Sequence, residues 1–154
     1  MPMTHWVTLL VALLGGGCAT TAAARQDPPR DVSSLVTLEG DSILVKETIG
    51  FAHGKSEIEE SSKDLLDAVA RILLGTTAIT KLTIEGHTDT TGEPSANQPL
   101  SEERAWAVKK YLESKGVDAP RLESRGFGSS QPVDSNDTEA GRAKNRRVEF
   151  KVTR

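Results

Sequence analysis

Apolar residues follow two rhythms along this chain, and each change of rhythm marks a change of element. Over residues 61–74, Leu65, Leu66, Val69, Ile72 and Leu73 recur three or four apart, the stripe of an amphipathic helix. Ser61 or Ser62 is placed to cap its start and Gly75 to stop it. Over residues 80–85 the period drops to two, with Leu82 and Ile84 alternating with Thr83 and Glu85, which predicts a strand. A second helix is expected over residues 102–115, with Ser101 as N-cap, Ala105, Val108 and Leu112 on one face, and Gly116 as terminator. Upstream, residues 36–38 and 42–51 flank the turn signal Glu39-Gly40-Asp41 and read as a hairpin, although Glu47 interrupts the alternation of Ile43, Val45 and Ile49. Residues 121–125 and 147–152 predict two more strands. Between them runs a Gly/Ser/Asn/Asp-rich connection, residues 126–145, with a helical turn after Thr138. The order β-α-β-α-β-β, its first β a hairpin, predicts an α+β fold: a two-layer α/β sandwich with a mixed sheet.

The pattern before residue 35 is different. Residues 1–17 carry no Lys, Arg, Asp or Glu, and residues 6–14 form an apolar run too short to span a bilayer but of signal-peptide length. The run leads into Gly15-Gly16-Gly17-Cys18-Ala19, small residues before the lone cysteine, as in a bacterial lipobox. The expected organisation is a signal peptide at 1–17, a lipidated Cys18 with a flexible Ala/Thr-rich tether to residue 34, and one domain at 35–154. One acyl chain holds a protein to a membrane only marginally, so stable anchoring at Cys18 implies more than one. Ala19 after the cysteine resembles the sorting pattern of outer-membrane lipoproteins.

Charge narrows the function. The net charge of −3 argues against a nucleic-acid footprint, despite the basic run at 142–147. Three histidines, at 5, 53 and 87, form no HxH or HxxxH pair and make a poor zinc site. No GxSxG, cysteine nucleophile or suggestive pair of carboxylates appears, so neither an enzyme nor a cofactor is expected.

The candidate chemistry gathers at Gly86-His87-Thr88-Asp89-Thr90-Thr91-Gly92, followed by Asn97, Leu100-Ser101, Arg104-Ala105 and, later, Asn145-Arg146-Arg147. Asp89 stands just past a strand in a Gly-bounded loop. It suits a ligand ammonium, although its residue type alone favours an Asx-turn or a helix cap bonded to local backbone. Arg104, third in its expected helix, offers a planar fork for a carboxylate beside the positive end of the dipole. A solvated Arg paired with Glu103 is the plainer alternative. Alternation sends Arg146 and Arg147 to opposite faces, so one of them points at the pocket. His87 is expected to fix the loop through its ring nitrogens, Phe127 to pack under the long connection, and Pro94 and Pro99 to stiffen the loop before Ser101. Trp106 lies beside the apolar stripe, either covering a flank of the sheet or facing a partner protein.

In their order these motifs resemble the OmpA-like domain shared by OmpA C-terminal domains and Pal lipoproteins, over roughly residues 49–152. The resemblance implies non-covalent binding of peptidoglycan through the zwitterionic end of its diaminopimelate. It implies Asp89, Arg104, Arg146 and Asn97 as ligand contacts, with Gly86, His87, Thr88, Gly92, Leu100 and Asn145 shaping the site. The family often has a large apolar residue before the Asn, where this chain has Ala96. The implied setting is an outer-membrane lipoprotein with its domain facing the periplasm. A module that docks other envelope proteins, as Pal does, is the alternative.

Overall fold

The computed structural model describes residue 31 and residues 34–154. The expected signal peptide and Cys18 lie outside the described residues, as does nearly all of the tether. Among the described residues no helix is long and apolar enough to cross a membrane.

Nine elements follow in order: β1 (Val36–Glu39), β2 (Ser42–Val45), α1 (Glu60–Gly75), β3 (Lys81–Gly86), α2 (Pro94–Ser114), a 3-10 turn (Ala119–Arg121), β4 (Leu122–Gly126), α3 (Glu139–Asn145) and β5 (Val148–Thr153). The strands form one mixed sheet in the order β1-β2-β5-β3-β4, in which only β3 and β4 run parallel. The α+β sandwich with a mixed sheet is therefore the observed architecture.

Two amphipathic helices cover one face of this sheet, because each carries an apolar stripe that the strands' inward residues complete. Leu65, Leu66, Val69 and Leu73 of α1 meet Ala105, Val108 and Leu112 of α2 in one core with Leu82, Ile84, Phe150 and Val152 of the sheet. Full burial of one such large aliphatic or Phe side chain contributes about 1.5–3 kcal/mol. On the other face, Lys81, Glu123, Arg125, Glu149 and Lys151 are laced by ion pairs. Past α2, Gly116 takes the expected left-handed conformation at φ 95°.

Several expected boundaries move. The second strand stops at Val45, because β2 pairs with β5 only at Ser42↔Lys151 and Ile43↔Phe150. The chain then turns inward at Ile49, and Phe51 bridges Ile58. Neither Ser61 nor Ser62 caps α1; the N-cap is Glu59, and the Ser62 hydroxyl instead accepts from the Gly50 amide at 2.8 Å. The largest change is in α2, which begins eight residues before the expected Glu102. Pro94 sits in its first turn, where no N–H is needed, and Pro99 lies inside it. An interior proline costs a helix a donor. Here the flanking side chains hold that turn to the rest of the molecule, Asn97 donating to the 89–91 loop and Gln98 to the Gly126 carbonyl at 2.8 Å. Tertiary contacts outweigh the local penalty, so Pro94 and Pro99 stiffen a helix rather than a loop, and Ser101 is no N-cap.

Candidate functional site

Two glycines bring α2 against the strand ends that carry the site. A Cβ on Gly86 would come 2.2 Å from the Ser101 carbonyl oxygen, and one on Gly126 2.5 Å from the Glu102 amide nitrogen. Only glycine fits so close an approach of helix to strand. Beyond Gly86 the sheet pairing continues: the His87 amide donates to the Arg147 carbonyl at 2.9 Å and that of Thr88 to Gly128 at 2.8 Å. Gly92, at φ 83°, turns the loop toward α2.

Asp89, 5% exposed, lies in this loop. Its Oδ1 accepts from the Thr91 amide at 2.8 Å and its Oδ2 from Arg146 Nη1 at 2.7 Å. The local Asx-type bond is thus present, and beside it stands an ion pair to Arg146 that the sequence reading did not include. Burial pushes the carboxyl up, but the Arg146 guanidinium and the Thr91 N–H outweigh it and hold Asp89 below the usual carboxylate range. Arg146 also donates to Glu139 Oε1 at 2.7 Å, and Asp89 and Glu139 together raise its already high pKa.

Arg104 is the eleventh residue of α2, counting Pro94 as the first, so the free N–H groups of a helix start do not surround it. It is positioned otherwise. Its Nε donates to the Lys55 carbonyl at 3.1 Å, and its guanidinium lies 5.0 Å from the centre of the Phe51 ring. Burial and then the Arg146 charge pull its pKa down, against the opposing pull of Asp89. The two guanidiniums share a cavity of about 260 Å³, with Gly50, Phe51, Glu59 and Ala143 also in its wall. Larger hollows lie beside Ile72, about 310 Å³, and between β2 and β5, about 370 Å³; neither is lined by Arg104 or Arg146.

The remaining candidates shape the site. The Asn97 amide donates to the carbonyls of Asp89 at 3.3 Å and Thr91 at 3.1 Å, clasping the loop. Asn145, fully buried, accepts from the amides of Val133 and Asp134 and donates to the Asp134 carbonyl and Asn136 Oδ1, so one side chain organises the long connection. Leu100 is half-buried on α2, and the buried Thr88 hydroxyl lacks a partner among the described residues. Arg146 and Arg147 lie before β5 rather than in it, so strand alternation does not set their directions. Arg147 is absent from the cavity wall, its side chain only 15% exposed and bound to Glu149 at 2.6 Å.

His87 corrects the sequence reading. It is 1% exposed, neither ring nitrogen has a partner among the described residues, and the ring stacks on Phe127 with centroids 5.3 Å apart. Burial, then the Arg147 charge, push its pKa down to about 4. It holds the loop by packing, not through its nitrogens. Ligand atoms of Glu85, His87 and Glu149 lie within 4.8 Å of one another, a grouping the spacing concealed because it crosses two strands. Glu149 there is already committed to Arg147 and Lys151.

The sequence reading missed Phe51 beneath Arg104, Glu139 on Arg146 and Glu59 in the cavity wall. Arg104 shares the cavity with Phe51 and Glu59 across distant segments, which no local spacing signals, whereas Glu139 and Arg146 stand seven apart along α3 and its C-cap.

Comparison with known proteins adds a family. Residues 50–146 match the model of the OmpA family. Outer membrane protein A of Bordetella avium is 36% identical over 138 residues, covering 88% of this chain and 67% of that protein. The peptidoglycan-associated lipoprotein of Pasteurella multocida is 36% identical over 144 residues, covering 91% of this chain and 95% of that one. The crystal structure of the peptidoglycan-associated lipoprotein from Burkholderia pseudomallei superposes with a TM-score of 0.64 at 28% identity, covering 70% of this chain and 91% of that one. Other relatives are much longer, and the chain covers as little as 14% of their own length.

Proposed function

Since the chain belongs to the OmpA family, we propose that it binds peptidoglycan non-covalently, by recognising the diaminopimelate end that carries an ammonium and a carboxylate together. It acts by recognition and not turnover, as an outer-membrane lipoprotein anchored through lipid on Cys18 that ties the membrane to the wall. Arg104 and Arg146 take the ligand carboxylate and Asp89 its ammonium, with Asn97 holding the loop that carries Asp89.

One observation carries the reading: the guanidiniums of Arg104 and Arg146 share a single cavity, with the Asp89 carboxylate bonded directly to one of them. Planar guanidiniums grip carboxylates in bidentate fashion, and Asp89 retains lone pairs beyond its two bonds. Both charges of such a ligand persist across roughly pH 5 to 7. Arg146 is already engaged by Asp89 and Glu139, whereas among the described residues Arg104 donates only its Nε, to the Lys55 carbonyl, so Arg104 presents the freer fork.

Calorimetric titration of the chain with a diaminopimelate-containing muropeptide tests the reading. Saturable binding is expected, and Asp89→Asn should weaken it about tenfold or more. Folded wild-type protein that gives no binding would overturn it and favour the docking of envelope proteins, with exposed Trp106 as the next residue to change.

A further inference from the structure

The cavity holds a carboxylate that this scheme leaves unused. Glu59 precedes α1 and is fixed through its backbone, since its amide donates to the Gly50 carbonyl at 3.0 Å. Its side chain makes no cap bond to the helix it precedes. Instead the carboxylate folds over Gly50, so closely that a Cβ at that position would come 2.4 Å from Glu59 Oε2. Glycine at position 50 is what makes room for it.

The other carboxylates at the site are taken. Asp89 is held by Thr91 and Arg146, and Glu139 by Arg146 and Arg142. Among the described residues no side chain or amide engages the Glu59 carboxylate. It stands in the same wall as Arg104 and Arg146 without pairing to either. Two cations and an unspent anion around one hollow match a ligand of both signs better than the cations alone would.

Resting on the reading above, we propose that Glu59 is a specificity-determining residue: a second acceptor for the ligand ammonium, which makes the site select a free amine over an acylated one. An ammonium brings three N–H donors, and Asp89 already receives a bond on each of its oxygens. Glu59 supplies lone pairs that are not committed. An acylated amine offers one N–H and no charge, so it draws no ionic attraction from Glu59, which is exposed in the cavity wall, or from the buried Asp89 beside Arg146. The site would thus separate wall stems whose diaminopimelate amine is free from stems in which it is tied up in an amide.

The test is a titration of wild type, Glu59→Gln and Asp89→Asn with two probes, a muropeptide bearing the free amine and the same muropeptide acetylated on it. Glu60→Gln serves as the neighbouring control, since Glu60 pairs outside the cavity with Lys63. Wild type should prefer the free amine by about tenfold or more, and Glu59→Gln should shrink that preference about fivefold while keeping its melting temperature. Glu59→Gln with an undiminished preference, beside a weakened Asp89→Asn, overturns the role of Glu59 and leaves wall recognition standing. Wild type that binds neither probe overturns both.

Discussion

Where β3 and β4 begin, a guanidinium is closed off; where they finish, two are left facing a hollow. At the first end Arg121 sends Nη2 to the carbonyls of Leu73 and Ile79, both at 2.9 Å, joining the end of α1 to the turn before β3. Nearby, Lys115 reaches Asp67 at 2.9 Å, which also accepts from Tyr111. At the far end Arg104 has one carbonyl and an aromatic face, and Arg146 has two carboxylates that a ligand could rival. The lesson concerns the partners more than the cations. A backbone carbonyl belongs to the fold and does not leave, so Arg121 reads as structural. A side-chain carboxylate can be exchanged for the carboxylate of a ligand.

The most severe way to break this contrast is Gly86→Ala. Its Cβ would meet the Ser101 carbonyl at 2.2 Å, and backbone cannot give way as a flexible side chain does. Chemical denaturation should show a loss of about 3 kcal/mol, with α2 displaced from the site. Acid should come next. His87 has a folded pKa of about 4 against an ordinary 6.5, so the unfolded chain binds the proton first. The stability His87 contributes is complete above pH 6.5 and drains away as pH falls toward 4. Between pH 6.5 and 5 the loss should reach about 2 kcal/mol, and His87→Phe, which keeps a ring on Phe127, should flatten that slope. Asp89, with its depressed pKa, gives up its share only at lower pH, as its own carboxyl protonates.

Two arginine replacements sharpen the comparison itself. Arg121→Met should cost about 1–2 kcal/mol of stability, because two carbonyls lose their donor, and should leave muropeptide affinity within about twofold of wild type. Arg104→Ala should cost under about 1 kcal/mol in stability yet weaken muropeptide binding about tenfold. If the two variants exchanged these effects, the assignment of one end to the fold and the other to recognition would be wrong.

How legible this was in the sequence depended on the range of the contacts. The stripe of α1, the alternation of β3 and Gly116 were readable because they are periodic or local. Even the short α3 announced itself through Thr138, whose hydroxyl accepts from the Gly141 amide at 3.1 Å. The start of α2 was not readable, since Pro99 argues for a break and only the contacts of Asn97 and Gln98 with distant backbone reverse that argument. The site residues were recognisable as types in an order. Their pairing was not, because the Asp89–Arg146 bond closes 57 residues of chain and the stacking of His87 on Phe127 closes 40. His87 failed for a further reason, as its polar nitrogens suggested bonds that burial withholds.

The dispersal of the site over three segments, around Asp89, Arg104 and Arg146, carries a thermodynamic consequence. An unfolded chain holds no partial copy of the cavity, so whatever fills it binds the folded protein alone. Mass action then couples occupancy to folding: free ligand at a hundred times its Kd adds about 2.7 kcal/mol to the free energy of unfolding. For a domain of this size that would raise the melting temperature by several degrees. A wall rich in the right ends would act on this protein as a stabilising co-solute does, and protein held against it would outlast protein that has come free.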